Sequence, residues 1–293
     1  DNHGDEHTVV GVDDLSGGYL ENVNDKVEFE QFDLVEDNKL EAVFSKHKPD
    51  LVYHMAAYAA EGLSPFMRSF NYKNNLISTS KIINNCINHN VKRLVFTSTM
   101  AVYGEGDWLK ETDELNPLSN YALSKLYGET CVKQFSQFGI DYTIFRIFPT
   151  YGPGQNLTNG RQGIAAVFVQ QVVRGNKIDV TGPLDRYRDI TYIDDNIDAL
   201  ILGMDDRTSK EVYNICTNTK TYIEDIINKF IKYSGRDNFE VKNIGSEDGD
   251  QFGNTGNNSK LKALGWIPKI GIDEGLKHLY QYADKTINGE SNE

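Results

Sequence analysis

The sequence predicts an α/β protein, with a Rossmann-type doubly wound parallel sheet followed by a smaller mixed α/β part. Up to about residue 148, short runs rich in β-branched residues alternate with longer stretches whose apolar residues recur at helical spacing. That rhythm builds right-handed βαβ units, which put helices on both faces of a parallel sheet. After Phe148 the rhythm breaks at "PTYGPGQNLTNGRQG", a loop carrying both glycine and proline, and the later segments are shorter and more mixed. We therefore expect residues 1–148 to form the sheet-based unit, with return elements near 177–204, and residues 149–293 mainly to form the second.

Taken in order, residues 8–12 form a short β-branched strand that ends at the acidic pair Asp13-Asp14, and 27–34 form a second strand. "EDNKLEAVFSKHKPD" is a helix that must stop before Pro49. Residues 51–57 are a strand, 66–89 a long amphipathic helix, 91–99 a strand, 118–138 a helix and 141–148 a strand. Further on, the pattern predicts helices at 161–174, 194–204, 221–234 and 272–286, and strands at 177–181, 189–193 and 211–216. "GSEDGDQFGNTGNNSK" is polar and rich in turn formers, so it reads as a surface loop.

Composition excludes several function classes. A net charge of −13 argues against binding to nucleic acid or to an anionic membrane surface, because phosphates need a positive field. The three cysteines, Cys86, Cys131 and Cys216, are far apart and lack metal-ligand spacing, so no metal is expected and a reduced, cytoplasmic setting is. No apolar run approaches the roughly 18 residues of a membrane span.

Chemistry concentrates in two places. Asp13 closes a strand and is followed by Ser16, Gly17 and Gly18, as in folds where a carboxylate at a strand end meets a ribose. In "SNYALSKLYGE", Tyr121 and Lys125 lie four apart on one helix face, where an ammonium would stabilise a phenolate and lower the tyrosine pKa. The strand "VFTST" releases Thr97, Ser98 and Thr99 at its carboxyl end, the edge at which open parallel sheets bind ligands.

With these motifs in place, the chain resembles the extended short-chain dehydrogenases/reductases, in the branch of NAD-dependent nucleotide-sugar epimerases and dehydratases, and most of all the UDP-glucose 4-epimerases. The resemblance runs through "VVGVDDLSGG", "FDL", "LVYHMAA", "NYKNNL", "TSTMAVYG", "NYALSK", "FRIFPTYGPG", "RYRDITYIDD" and "LKALGW", and covers almost the whole chain. It implies that Asp13, with Asp14 beside it, binds the adenosine ribose of NAD, and that Asp33 and Leu34 meet the adenine. It further implies that Met55, Ala56, Ala57, Tyr58 and Asn75 line the cofactor and that Phe148 flanks the nicotinamide. Thr99, Tyr121 and Lys125 become the catalytic set, with Lys125 also holding the nicotinamide ribose. Arg188 would grip the diphosphate of a UDP-sugar, and Asp250 would contact its nucleoside. Relatives also pair the helices near 66–89 and 119–138 into a homodimer.

The departures from the family pattern are as informative. The strand and glycine fingerprint expected before Asp13 are not in this sequence, so the chain is expected to begin roughly 25 to 30 residues into the pattern and to bind NAD weakly. Pro149, Glu247 and Asn257 replace a usual Asn, Arg and Asp, which loosens the expectation of UDP. Asn254 is smaller than the residue that excludes N-acetylated sugars in relatives. Where 4,6-dehydratases carry Asp-Glu, this chain has Met100-Ala101, neither of which transfers protons. The expected reaction is epimerisation through a 4-keto sugar; the alternatives are a nucleotide-sugar 4-ketoreductase or dehydrogenase, or a non-catalytic fragment that binds a nucleotide sugar.

Overall fold

The structure, a computed structural model, describes residues 7–158, 160, 163–245 and 252–289. The first elements are β1 (Val10–Asp13), β2 (Glu28–Gln31), α1 (Asp37–His47), β3 (Leu51–His54), α2 (Arg68–Tyr72) and α3 (Ser78–Asn88). Next come β4 (Arg93–Thr99), β5 (Gly106–Leu109), α4 (Asn120–Phe135), β6 (Asp141–Ile147), β7 (Thr150–Tyr151) and α5 (Ile164–Arg174). They are followed by β8 (Lys177–Val180), β9 (Tyr187–Arg188), β10 (Thr191–Tyr192), α6 (Ile193–Ile201), β11 (Glu211–Ile215) and β12 (Thr221–Tyr222). The last are α7 (Ile223–Ser234), β13 (Glu240–Asn243), β14 (Gly253–Gly256), α8 (Ser259–Lys262) and α9 (Ile272–Gly289).

Two hydrogen-bonded groups of parallel strands make the sheet of the first half, with β11 added from the second. β1 pairs with β2, and a four-stranded sheet runs β11-β6-β4-β3. Among the described residues no ladder joins β1 to β3. Alternation along β4 and β6 explains why both faces of the larger sheet are covered. Leu94, Phe96 and Ile144 point to one side, where they pack with Leu40 and Phe44 of α1, Ile82 and Ile83 of α3 and Val132 of α4. Val95 and Phe145 point to the other, against Ala199 and Leu200 of α6, Tyr213 and Trp266. Burial on both faces leaves β4 without a solvent side: all of its residues are buried, the apolar Leu94, Val95 and Phe96 in its middle and the polar Thr97, Ser98 and Thr99 at its carboxyl end. A separate core of α5, α7, α9 and β8 forms around Val169, Val172, Ile178, Ile223, Phe230, Leu276 and Leu279.

The structure departs from several sequence expectations. The helix expected at 66–89 runs from Arg68 to Asn88 but is not regular: a π-turn, Lys73–Ile77, lies between α2 and α3. Of the strand expected at 189–193 only β10 (Thr191–Tyr192) forms; the buried Asp189 follows β9, and Ile193 already begins α6. Of the return elements, α6 does pack on the larger sheet, and so does β11 beyond the expected range, whereas β8 pairs with β13 instead. The clearest difference lies inside the expected surface loop. β14 is entirely buried, between β5 and β9. Its small residues are what allow this: a Cβ on Gly256 would stand 2.6 Å from Cys216 Sγ and Phe148 Cζ, and one on Gly253 2.5 Å from the Tyr187 ring. Glycine suits a turn, but it also lets backbones approach closely, and here the second use prevails. No helix of the described residues is long and apolar enough to cross a membrane.

Candidate active site

Strands of a parallel sheet all deliver their last residues to one edge, and here those residues are chemical. Asp13 ends β1, His54 ends β3, and Thr99 ends β4 opposite Ile147 of β6. α4 brings the other partners. Ser119 caps it, its hydroxyl accepting from the Ala122 backbone N–H at 3.1 Å, so Tyr121 sits in the first turn and Lys125 one turn on. The helix lies tight on β4 because residue 128 is glycine; a Cβ there would meet the Phe96 ring at 2.6 Å.

Two of the three expected catalytic groups, Thr99 and Tyr121, act on one another, and Lys125 is buried one helical turn on. The Thr99 hydroxyl lies close enough to Tyr121 to act on its phenol, and it accepts from Ala101 N at 3.2 Å. Lys125 is buried, with Nζ 4.6 Å from the centre of the Phe96 ring. The charges differ from the sequence expectation. Burial pushes the Tyr121 phenol up to about 12, the hydrogen bond from Thr99 pulling the other way, and burial draws Lys125 down to about 7 while Glu129 holds it up. A buried phenol and a buried ammonium are both disfavoured as ions, so in the unliganded chain the pair rests with less charge than spacing alone suggests. His54 is pushed down to about 3 by burial and by the Lys125 cation, and is neutral; its Nε2 lies 2.8 Å from Thr79 Oγ1.

The expected cofactor residues are distributed around this centre. Asp13 accepts from Leu15 N and Asp14 from Ser16 N, two short turns at the end of β1. Asp33 accepts from Lys73 Nζ at 2.7 Å; burial would raise this carboxyl, but Lys73 and the Val35 N–H hold it below its ordinary value. Leu34 packs on the core, Met55 is exposed, and Ala56 and Ala57 are half-buried. Asn75 lies in the π-turn and is buried there, accepting from Tyr58 N at 2.7 Å and donating to Tyr58 O and Ser124 Oγ. Its amide thus ties the loop after β3 to α4. A π-turn re-aims one side chain by inserting an extra residue, and such turns gather at functional sites. Phe148 is fully buried among Met100, Tyr103 and Cys216.

Arg188 reaches the same region through β14. Asn254 is its partner in the ladder, and the Asn254 amide donates to the Met100 sulfur, one residue past Thr99. The Arg188 guanidinium donates to the carbonyls of Tyr187 and Phe252. Asp250 and Glu247 lie outside the described residues. Sequence reasoning missed His54, Asp189 and the pair Glu129–Arg146. Asp189 accepts from Thr217 N, Thr217 Oγ1, Asn218 N and Gly256 N, and so fastens the end of β14. Its place in "RYRD" was the available signal.

Among the described residues one group could hold a metal ion, Glu28, Glu30 and His47. It stands at the amino end of β2, and Lys46 Nζ already pairs with Glu28 there. A surface groove between α7 and α9 carries none of the expected site residues.

Comparison with known proteins gives a consistent result. Residues 1–216 match the Epimerase family, described as the NAD dependent epimerase/dehydratase family. The UDP-glucose 4-epimerase of Mycolicibacterium smegmatis is 26% identical over 290 residues, covering 95% of this chain and 91% of that protein. The crystal structure of UDP-glucose 4-epimerase with UDP-glucose from Thermotoga maritima superposes with a TM-score of 0.90 at 30% identity, over 97% of this chain and 93% of that one. The Thermus thermophilus UDP-glucose 4-epimerase in complex with NAD gives a TM-score of 0.90 at 28% identity, over 95% and 92%.

Proposed function

The chain belongs to the NAD dependent epimerase/dehydratase family, and from that premise we propose that it is an NAD-dependent nucleotide-sugar epimerase acting at C4 of a UDP-hexose. The observation that carries this is the convergence of Thr99, Tyr121 and Lys125 at the carboxyl edge of the sheet, beside a residue pair, Met100-Ala101, with no proton-transfer group.

The residues present suit NAD. Asp13 offers a carboxylate at the end of β1, the usual partner of ribose hydroxyls, and it would repel the extra phosphate of NADP. Lys125 is nearly enclosed, and no carboxylate of the described residues lies within ion-pair distance of it. Hydroxyl oxygens of a ribose would satisfy its donors. Ala56 and Ala57 permit close approach after β3, and Asn75 holds that loop in place through Tyr58. Asp14, Asp33, Leu34, Met55 and Phe148 complete the proposed cofactor contacts. NAD, when bound, accepts and returns a hydride at the sugar carbon.

The chain's own groups do the rest. Tyr121 takes the proton from the sugar hydroxyl, and Thr99 shares the hydrogen bond to that oxygen. Lys125, charged, lowers the cost of the phenolate. Arg188 meets the diphosphate, with Asp250 assigned to the nucleoside. Cofactor chemistry does the bond breaking, and the protein supplies orientation and charge. We place the enzyme in the cytoplasm as a homodimer. Phe66 is 83% exposed, and Phe70, Ile77, Leu118 and Tyr127 on or beside α2, the π-turn and α4 are exposed as well, on the elements expected to pair.

The test is to mix pure protein with NAD and UDP-galactose and follow UDP-glucose. Catalytic conversion without net change in NADH absorbance supports epimerisation. Stoichiometric use or release of NADH would instead indicate the ketoreductase or dehydrogenase reading. UDP-N-acetylgalactosamine belongs in the same assay, because Asn254 leaves a small side chain beside Met100.

A further inference from the structure

Behind the catalytic groups lies a buried ionic network that none of the proposed steps uses. On α4 the positions 121, 125 and 129 follow one another at intervals of four, so Glu129 shares a face with Tyr121 and Lys125. Glu129 is wholly buried and accepts from Ser98 Oγ at 2.6 Å, from Arg146 Nε at 2.9 Å and from Arg146 Nη2 at 2.8 Å. Ser98 is the residue before Thr99, and Arg146 stands opposite Ser98 in the β4–β6 register. Arg146 also donates to the hydroxyl of Tyr103 and to the Glu111 carbonyl, and Tyr103 donates to Asn214 of β11. One carboxylate therefore joins the helix that carries Tyr121 to the strand that carries Thr99, and through Arg146 to the turn that follows it.

We propose that Glu129 is a positioning residue, which sets the reach from Tyr121 to Thr99 and, one helical turn from Lys125, favours its ammonium form. The claim rests on the epimerase reading for its rate effects but not for its electrostatics. A bidentate Arg–carboxylate pair fixes both distance and angle, so α4 cannot slide along β4 without breaking it. The groups facing Lys125 are His54 from β3, the Phe96 ring from β4, and Glu129 from its own helix, with Tyr121 one turn before it. His54 is neutral, which leaves Glu129 as the negative charge acting on Lys125. Those facing Glu129 are Ser98, Arg146 and Lys133; burial alone would raise its carboxyl, and these three hold it below its ordinary value, hence ionised.

The consequence for rate follows from proton counting. Tyr121 and Lys125 together hold one ionisable proton in the working pH range, and the reactive form has it on the lysine. Each unit by which the Lys125 pKa falls reduces that form about tenfold. Three variants separate charge from reach. Glu129→Gln keeps size but loses charge; the Lys125 titration should move down by about one unit and kcat at neutral pH should fall about tenfold. Glu129→Asp keeps charge but draws the carboxylate back by one methylene; kcat should fall about tenfold or more with the Lys125 titration in place. Glu129→Met with Arg146→Met removes the buried pair as a unit, a change folds commonly tolerate, and covers the case in which the first variant does not fold.

The Lys125 titration is read without turnover, by NMR of the full chain carrying isotope-labelled lysine and assigned with Lys125→Met. If wild-type protein epimerised no nucleotide sugar, the functional reading would fall and the titration would still decide the charge claim. An unmoved Lys125 titration in Glu129→Gln, or a kcat per folded molecule equal to wild type in all three, would overturn the proposal. A merely structural pair would lower stability and leave the pH profile where it is.

Discussion

Tyr121 and Lys125 rest on opposite sides of their ordinary values, the phenol at about 12 and the ammonium at about 7, both displaced chiefly by burial. Tyr121→Phe removes the hydroxyl and keeps the ring, so it should fold normally and lose at least about a hundredfold in turnover, the usual worth of a general base. Circular dichroism and the epimerase assay together check this; near-normal turnover would remove Tyr121 from the mechanism. Lys125 makes a second prediction about stability. Its folded pKa of about 7 lies below the unfolded value of about 10.4. Between those values the unfolded chain holds a proton that the native chain lacks, so this group makes stability rise with pH from about 7 upward. Below pH 7 the native state bears the full cost of a buried cation. Lys125→Met should therefore be inactive yet more stable at about pH 6, by on the order of a few kcal/mol, with a flatter rise towards pH 9. Urea unfolding at the two pH values measures it. Equal gains in wild type and variant would show that Lys125 is not the titrating group.

α4 owes its closeness to β4 to one missing methyl group. Gly128→Ala would ordinarily help a helix by about 1 kcal/mol, but the added Cβ meets the Phe96 ring at 2.6 Å, and that ring is itself buried and lies under Lys125 Nζ. Overpacking should win, with a net loss of about 1–3 kcal/mol in chemical denaturation and a lower kcat, because the displaced helix carries Tyr121. A variant as stable as wild type would mean that Phe96 can turn aside. The π-turn at Lys73–Ile77 is a second local device. It buries Asn75 against Tyr58 and Ser124, joining three elements with one amide. The amphipathic pattern of residues 66–89 carries no sign of it, because one inserted residue shifts the apolar face only slightly.

For the whole molecule, the division of β1–β2 from β11-β6-β4-β3 makes an unequal fabric. β4 has neighbours on both sides, whereas β1 is hydrogen-bonded to β2 alone among the described strands. Hydrogen exchange should therefore be fastest in β1 and β2 and slowest in β4 and β6, since protection follows local contact and pairing. Uniform protection across all six strands would contradict this. The exposed apolar residues around α2 and α4 predict association. Light scattering at micromolar concentration should give twice the chain mass, and a monomer would sink the homodimer. Phe66→Ser with Ile77→Ser should then shift the protein towards monomer without altering its unfolding in urea per chain, because both side chains are exposed within the chain.

What the sequence by itself determined was every feature that depends on near neighbours along the chain. The alternation of β-branched runs and helical periods set the α/β class, the spacing of Tyr121 and Lys125 put them on one face, and a hydroxyl-bearing strand end at Thr99 marked the edge of the candidate site. What only the tertiary structure decided were features whose cause lies far along the chain. Residues 253–256 look like a turn until Phe148, Cys216 and Tyr187 surround them, and then their lack of bulk becomes the reason that they are buried. Glu129 looks like one more surface charge on a helix until Arg146 and Ser98 meet it inside. The pKa of Lys125 could not be read from its spacing to Tyr121, because the burial that sets it comes from groups outside its helix such as Phe96 of β4, about which a helical repeat holds no information.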